Sequence, residues 1–216
     1  MRSHLTKAIT LILFFLSTLS IDAQRLGLEG GLNSSNMAVD AALEEIFDFT
    51  PKINFQIGLW GELPIGESWG IRPSLLFMRK GTQDQSTSNL GPVININYDY
   101  LDIPLLVYLE QGRVQFRLGG SVGIPLDRFL YDTESDRRLE GSAVENIWDT
   151  GVNFSLMGGL ALQFQKFHVS LQYQHGITAT LQDFVFTDAN GDPIQEVNTG
   201  EHRNILLSIG YSLWGK

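Results

Sequence analysis

The stretch that decides the fold is residues 203–214, which reads RNILLSIGYSLW. Apolar residues recur there at every second position, and the positions between them carry small or polar side chains, with Leu206 as the one exception. Successive side chains of a β-strand point to opposite faces, so this period of two predicts a strand with one apolar face and one polar face. The apolar set is Ile205, Leu207, Ile209, Tyr211 and Leu213.

Seven earlier segments between residues 26 and 177 alternate in the same way, which gives eight predicted strands. Several are long enough for a tilted strand to cross a bilayer, which needs about 9–11 residues. The connections alternate between long and short, a pattern typical of outer-membrane barrels with short periplasmic turns and long extracellular loops. The long connections are 34–50, 81–95, 125–150 and 181–201, and the short ones are 64–68, 110–112 and 165–166.

The direction of the two faces separates two kinds of barrel. A soluble lipocalin-like barrel turns its apolar face inward, whereas a transmembrane barrel turns it toward lipid. The polar face carries charges, which are costly in a dry core unless they are paired. We therefore predict an all-β, eight-stranded antiparallel up-and-down transmembrane β-barrel. Its candidate lumenal polar network is Glu29, Glu62, Arg72, Asp102 and Arg117.

Two details of the predicted lumen follow from the strand register. Asp102 is expected either to pair with Arg72 or Arg117 or to remain a solvated carboxylate near the mouth. The adjacent Pro104 cannot donate to the ladder and predicts a bulge or a local break in pairing. An eight-stranded barrel is about filled by side chains, so no wide channel is expected. The bulky inward residues are Trp60, Met78, Tyr108 and Met157.

Composition narrows the classes of function. The 216 residues suit one domain, and a net charge of -9 argues against a nucleic-acid partner. The absence of cysteine excludes disulfides, thiol catalysis and cysteine-ligated metal. Aromatic residues are expected to form two interfacial belts. They are Trp69, Phe164, Phe167 and Trp214 near the short turns, with Phe77, Tyr98, Tyr100, Trp148 and Phe154 near the long loops.

The N-terminus differs from the rest of the chain. Arg2 and Lys7 precede a largely apolar run over 9–19, followed by a short polar segment. This pattern predicts a cleaved secretory signal peptide over residues 1–24, leaving a barrel domain over 25–216. An uncleaved amphipathic anchor is the alternative. The expected location is the cell outer membrane.

No catalytic, cofactor or metal site is predicted. His175 could be drawn into a triad with Asp183 and Ser170, but neither a G-x-S-x-G nor an H-E-x-x-H motif occurs. The acidic segment 188–192, DANGD, has some oxygen ligands for calcium but an incomplete set, which favours a turn.

Several segments together resemble one family. Residues 100–107, YLDIPLLV, resemble a strand of the PorT-like outer-membrane β-barrel family, and residues 26–33, LGLEGGLN, are similar to its glycine-rich first strand. Residues 116–123 and 209–213 also fit. The resemblance implies an outer-membrane barrel, and some members of the family are linked to secretion or gliding machinery.

The predicted function is a non-enzymatic outer-membrane barrel that presents extracellular loops to partners. Those partners are outer-membrane lipid and lipopolysaccharide, and an envelope protein bound through the 125–150 loop. Two alternatives remain: an accessory barrel for small-solute transport or secretion, and a soluble periplasmic lipocalin-like barrel that binds a ligand. The candidate contact residues in the loop are Phe129, Tyr131 and Trp148.

Overall fold

The computed structural model describes residues 24–38, 49–84, 94–132, 137–139, 151–178, 181–187 and 193–215. This part of the chain forms eleven strands. Within the same ranges, no helix is long and apolar enough to cross a membrane. The strands are β1 (Arg25–Ala38), β2 (Phe49–Pro64), β3 (Trp69–Asp84), β4 (Ile94–Gln111), β5 (Val114–Asp132), β6 (Arg137–Leu139), β7 (Asn153–Gln163), β8 (Phe167–Gly176), β9 (Leu181–Thr187), β10 (Pro193–Thr199) and β11 (Glu201–Trp214).

Eight of these strands close into an antiparallel barrel, as predicted. Their order is β4-β3-β2-β1-β11-β8-β7-β5, and pairing between β4 and β5 completes the cylinder. Following paired residues from Gly31 in one direction arrives on β4 at Tyr100, and in the other direction at Glu110, ten residues further along the same strand. This stagger is the shear that a closed barrel requires, and it tilts every strand relative to the axis.

The two faces have the direction expected of a transmembrane barrel. Large apolar side chains point outward, and Ile53 and Leu118 are 72% and 70% exposed. The inward positions are buried and mostly polar or charged. The lipocalin-like alternative is therefore wrong, because its ligand cavity would need the apolar residues inside.

The strands run further than the sequence predicts at the extracellular end. β1 continues to Ala38, β3 to Asp84 and β5 to Asp132, so part of each of the predicted 34–50, 81–95 and 125–150 loops is strand. The 181–201 connection contains the β9–β10 hairpin. Outside the lipid, outward positions no longer need to be apolar, so the period-two signal disappears while the ladder continues.

The periplasmic turns are short, as predicted. The turn between β4 and β5 contains only Gly112 and Arg113. Gly112 has a φ of 64°, in the left-handed region that glycine adopts without steric cost.

Pro104 breaks the ladder on one side only. Between β3 and β4 the pairing passes from Pro73–Leu105 directly to Leu76–Asp102, with the register unchanged. Pro104 pairs normally with Ser121 on β5. The feature is thus a local break in pairing rather than a bulge, because the two prolines leave this part of the ladder short of donors.

The aromatic belts agree with the prediction in part. Trp69, Phe164, Phe167 and Trp214 are all 45–62% exposed beside the short turns. The prediction that Tyr98 and Tyr100 belong to the belt near the long loops is wrong. They are 2% and 1% exposed and face the lumen, because they share the strand parity of Asp102. Trp148 lies outside the described residues.

Candidate functional site

The periplasmic half of the lumen holds a network of charges centred on Arg72. Its guanidinium donates from Nη2 to Oε2 of Glu29 and from Nη1 to Oε1 of Glu62, both at 2.8 Å. The same guanidinium lies 4.1 Å from the ring centre of Trp60. We call this network the basal cluster; it comprises Glu29, Glu62, Arg72, Gln115, Arg117 and His168.

The remaining members of the basal cluster tie its charges together. Gln115 Nε2 donates to Glu62 Oε1 at 3.1 Å, and Arg117 Nε donates to Gln115 Oε1 at 2.6 Å. His168 Nε2 lies 3.5 Å from Glu29 Oε2 and 3.2 Å from Arg72 Nη2. Two carboxylates thus face two guanidiniums, so the buried network is balanced in formal charge.

A second polar network lies in the extracellular half of the lumen. Lys80 Nζ is 2.8 Å from Asp102 Oδ2, and both side chains are fully buried. Gln174 Nε2 donates to the same oxygen at 3.2 Å, and Asn204 Nδ2 donates to Gln174 Oε1 at 2.9 Å. We call these four residues the outer cluster.

An aromatic group lies next to the cation of the outer cluster. Lys80 Nζ lies 4.8 Å from the centre of the Tyr100 ring, which supplies a negative π-face to the ammonium group. His202 is fully buried and meets Tyr98 and Tyr100 edge-on, with ring centroids 5.2 and 5.8 Å apart.

Asp102 matches neither expectation. Its partner is neither Arg72 nor Arg117, and its carboxylate is buried rather than solvated. Along β3 the inward residues run from Arg72 near the periplasm to Lys80 near the outside. Asp102 is level with Leu76 on that strand, and of the two inward cations of β3 it pairs with Lys80. The parity that placed Met78 inward also places Lys80 inward, so the signal was present in the sequence.

An apolar cluster separates the two polar networks. On β3, the inward Leu76 and Met78 lie between Arg72 and Lys80. Leu206, the exception to the alternation of the last strand, is 1% exposed and belongs to this cluster. We call this cluster the septum; it comprises Leu76, Met78, Leu106, Met157 and Leu206.

A charged pair marks the extracellular end of the outward apolar band. Arg79 donates from Nε and Nη2 to the two carboxylate oxygens of Asp99 at 2.7 and 2.8 Å. Its guanidinium lies 5.6 Å from the Phe55 ring centre and 5.0 Å from that of Phe129.

Lys52 lies beside this charged pair. Its Nζ donates to Asn97 Oδ1 at 2.7 Å.

A match to a known family covers most of the sequence. The family model of the outer membrane protein beta-barrel domain matches residues 22–182. The chain belongs to this family. A search of curated protein sequences returns no significant match.

This outer-membrane barrel domain is similar to several solved structures. Neisserial surface protein A, from Neisseria, is 7% identical, with 87% of this chain and 97% of that chain covered and a TM-score of 0.52. Ail of Yersinia pestis, crystallised with the heparin analogue sucrose octasulfate, is 11% identical, with coverages of 88% and 99% and a TM-score of 0.46. At such low identity, the likeness to the Neisserial protein concerns the fold alone.

The barrel domain does not assemble the triad drawn from sequence. Ser170 is buried in the lumen, whereas His175 points outward, with its Nε2 3.6 Å from Glu201 Oε2. The side chain of Asp183 lies outside the described residues, as does the 188–192 segment. Within the described part of the barrel domain, no group of three or more acidic or histidine side chains is placed to hold a metal ion.

The candidate contact residues of the 125–150 segment do not all lie in a loop. Phe129 is part of β5 in the barrel wall, where its ring packs under Arg79. The backbone of Tyr131 also belongs to β5, but its side chain lies outside the described residues, as does all of Trp148. Residues 125–132 of the predicted loop are therefore strand.

Proposed function

We propose that the protein is a non-enzymatic outer-membrane barrel that holds extracellular segments at the cell surface for contact with a partner. The observation that carries this proposal is the closed lumen. The septum and two buried ion-pair networks fill the interior. What remains is a rigid wall in lipid and the connections above it.

The filled lumen argues against the alternative of small-solute transport. Conduction needs a continuous wet path, and an apolar constriction expels water. Along β3 the apolar septum lies between the basal and outer clusters, which argues against such a path. We expect the purified barrel to give no steady conductance in planar bilayers, and stable single-channel steps from the wild-type protein would contradict the proposal.

The surface for a partner lies above the apolar band on one side of the barrel. β4 and β5 remain paired up to Ile94 and Asp132, and β6 adds to the edge of β5. This extension is the base from which the 133–150 segment departs. That segment carries Leu139 and Trp148 among charged residues, a mixture suited to protein recognition.

The loop assignment is tested by paired deletions. Residues 140–149 and, separately, residues 40–47 are each replaced by a short Gly-Ser linker. Both variants should extract with outer membranes and migrate as folded, heat-modifiable barrels, because neither deletion removes a barrel strand. Only the first should lose cross-linking to an envelope protein in intact cells. Equal cross-linking in both variants would contradict the assignment.

The protein is also proposed to contact outer-membrane lipid and to be exported by a signal peptide. The outward apolar band supports contact with outer-membrane lipid, including lipopolysaccharide in the outer leaflet. The charge and length pattern of residues 1–24 supports a signal peptide that is removed on export. Mass determination of the protein isolated from outer membranes tests this: a mass that includes residues 1–24 would contradict cleavage.

Within the family, we propose a PorT-like placement on the strength of residues 26–33 and 100–107. A secretion accessory would use the same closed scaffold. The intact-cell cross-linking described above tests this placement as well, because a secretion accessory must bind a component of an export machine. A partner with no link to secretion would count against the placement, while leaving the loop proposal intact.

A further inference from the structure

We propose that the periplasmic rim of the barrel holds a binding site for the phosphate of an anionic phospholipid, formed by Arg113 and Lys166. The two cations come from different turns, the β4–β5 turn and the β7–β8 turn. The turns are neighbours because β5 pairs with β7, and the amide of Gln163 donates to the carbonyl of Arg113 at 2.7 Å. Both side chains line one cavity of about 620 Å³.

The charges at this cavity are uncompensated within the described part of the chain. Arg113 and Lys166 are exposed, and no described carboxylate lies within ion-pair distance of either. The cations of the lumen, by contrast, each face an acid, as Arg72 and Lys80 do. In a protein of net charge -9, two such cations beside one cavity form a local site for an anion.

The chemistry of the two cations suits a phosphate group. A phosphate oxygen can accept charge-assisted hydrogen bonds from the guanidinium of Arg113 and from the ammonium of Lys166. Both side chains line the same cavity, so one phosphate can contact both.

The remaining walls of the cavity identify the anion as a lipid headgroup rather than free phosphate. Phe164 and Phe167 are about half exposed, at 49% and 53%, and the Phe167 ring lies 4.9 Å from that of Tyr211. Aromatic rings of this kind lie at the boundary between headgroups and hydrocarbon. Beyond them, the outward Leu162 and Val169 continue the apolar surface along which acyl chains can lie.

The charge of the site selects among phospholipids. A zwitterionic headgroup brings its own ammonium near Arg113 and Lys166, which offsets the attraction. Phosphatidylglycerol brings only the phosphate, so it should bind more tightly. Each cation near an anionic lipid surface contributes measurably to binding, so removing both should weaken retention roughly tenfold or more.

Native mass spectrometry of the full-length barrel in detergent micelles tests this inference. The lipids to titrate are phosphatidylglycerol and phosphatidylcholine. The double variant Arg113→Gln/Lys166→Gln should retain phosphatidylglycerol about tenfold less than the wild type. The matched control is Arg203→Gln, which removes an exposed cation from the extracellular half of β11 and should leave retention unchanged.

Three outcomes would overturn the inference: equal retention by the double variant, an equal loss in the control, or no preference for phosphatidylglycerol over phosphatidylcholine. Inorganic phosphate distinguishes the source of the anion. If inorganic phosphate displaces all of the bound lipid at a concentration equal to that of the lipid, the acyl chains contribute nothing to the affinity. The site would then not select phospholipid. Heat-modifiable migration confirms that each variant is folded, and Lys166→Gln alone serves if the double variant is not. None of these results bears on the loop proposal.

Discussion

The basal and outer clusters both stabilise buried charges, but they do so with different chemistry. The basal cluster interlocks two carboxylates and two guanidiniums, and Arg72 bridges both acids. The outer cluster contains one ion pair, Lys80 with Asp102, and passes its hydrogen bonds on through Gln174 to the neutral Asn204. Buried charges are costly in both. The first is stabilised by mutual neutralisation and the second by a relay of amides and aromatic rings.

This difference predicts how each cluster responds to losing one member. In the basal cluster, removing the bridging cation leaves two acids with only weaker or more distant partners. In the outer cluster, removing the cation leaves one acid that still accepts a hydrogen bond from Gln174. Stability should therefore depend more on Arg72 than on Lys80.

The largest effect is expected for Arg72→Met, which keeps the bulk of the side chain and removes its charge. The buried Glu29 and Glu62 lose their shared partner, so the free energy of unfolding should fall by about 4 kcal/mol. Denaturant titration of the barrel in lipid vesicles, followed by tryptophan fluorescence, measures this. Adding Glu29→Gln should restore part of the loss, because Glu62 then remains opposite the buried Arg117, and a loss below about 1 kcal/mol for Arg72→Met would break the comparison.

A smaller loss, about 3 kcal/mol, is expected for Lys80→Met, because the Asp102 carboxylate keeps its bond from Gln174. The same titration measures it. Asp102→Asn added to Lys80→Met should recover stability, since no buried charge then remains. An equal loss of stability for Lys80→Met and Arg72→Met would contradict the inference that stability depends less on Lys80 than on Arg72.

The septum between the two clusters is expected to respond more weakly still. Leu206→Ala opens a cavity beside Met78 and Met157, whose flexible side chains can move partly into it. The expected loss is about 2 kcal/mol, at the low end for a buried leucine. Leu118→Ala on the lipid-facing surface is the matched control and should change the unfolding free energy less, and a reversed order would argue against a packed septum.

The smallest effect is expected at the end of the amide relay. Asn204→Leu removes the donor to Gln174 Oε1 and should cost about 1 kcal/mol. Gln174→Leu should cost more, because it also removes a bond to the charged Asp102. Vesicle unfolding of the two variants side by side checks the order, and equal losses would show that the relay does not weaken along its length.

Strand parity predicts much of this barrel. The alternation over residues 203–214 gives the direction of β11, and the same parity sends Glu29, Glu62, Arg72 and Arg117 into the lumen, where the structure finds them together. Parity also places further residues in the lumen. Tyr98 and Tyr100 share the face of Asp102, Lys80 shares the face of Arg72, and all three are buried.

Other features depend on distances that parity does not encode. The choice of Lys80 over Arg72 for Asp102 depends on the register between β3 and β4. The meeting of Arg113 and Lys166 depends on the adjacency of β5 and β7 together with the shape of two turns. The strand extensions beyond the apolar band carry no alternation of hydrophobicity, so only the observed pairing, as between Ile94 and Asp132, reveals them.

The seam between β1 and β11 has a kinetic consequence. Leu26 pairs with Trp214 and Ala38 with Glu201, so the cylinder can close only after the final strand has arrived. Until then the earlier hairpins form an open sheet whose two edges expose unsatisfied amides and carbonyls. Contacts between residues so far apart in the chain form slowly. Assembly should therefore be limited by this last joining step, and the waiting intermediate is the species that a membrane insertion factor must protect.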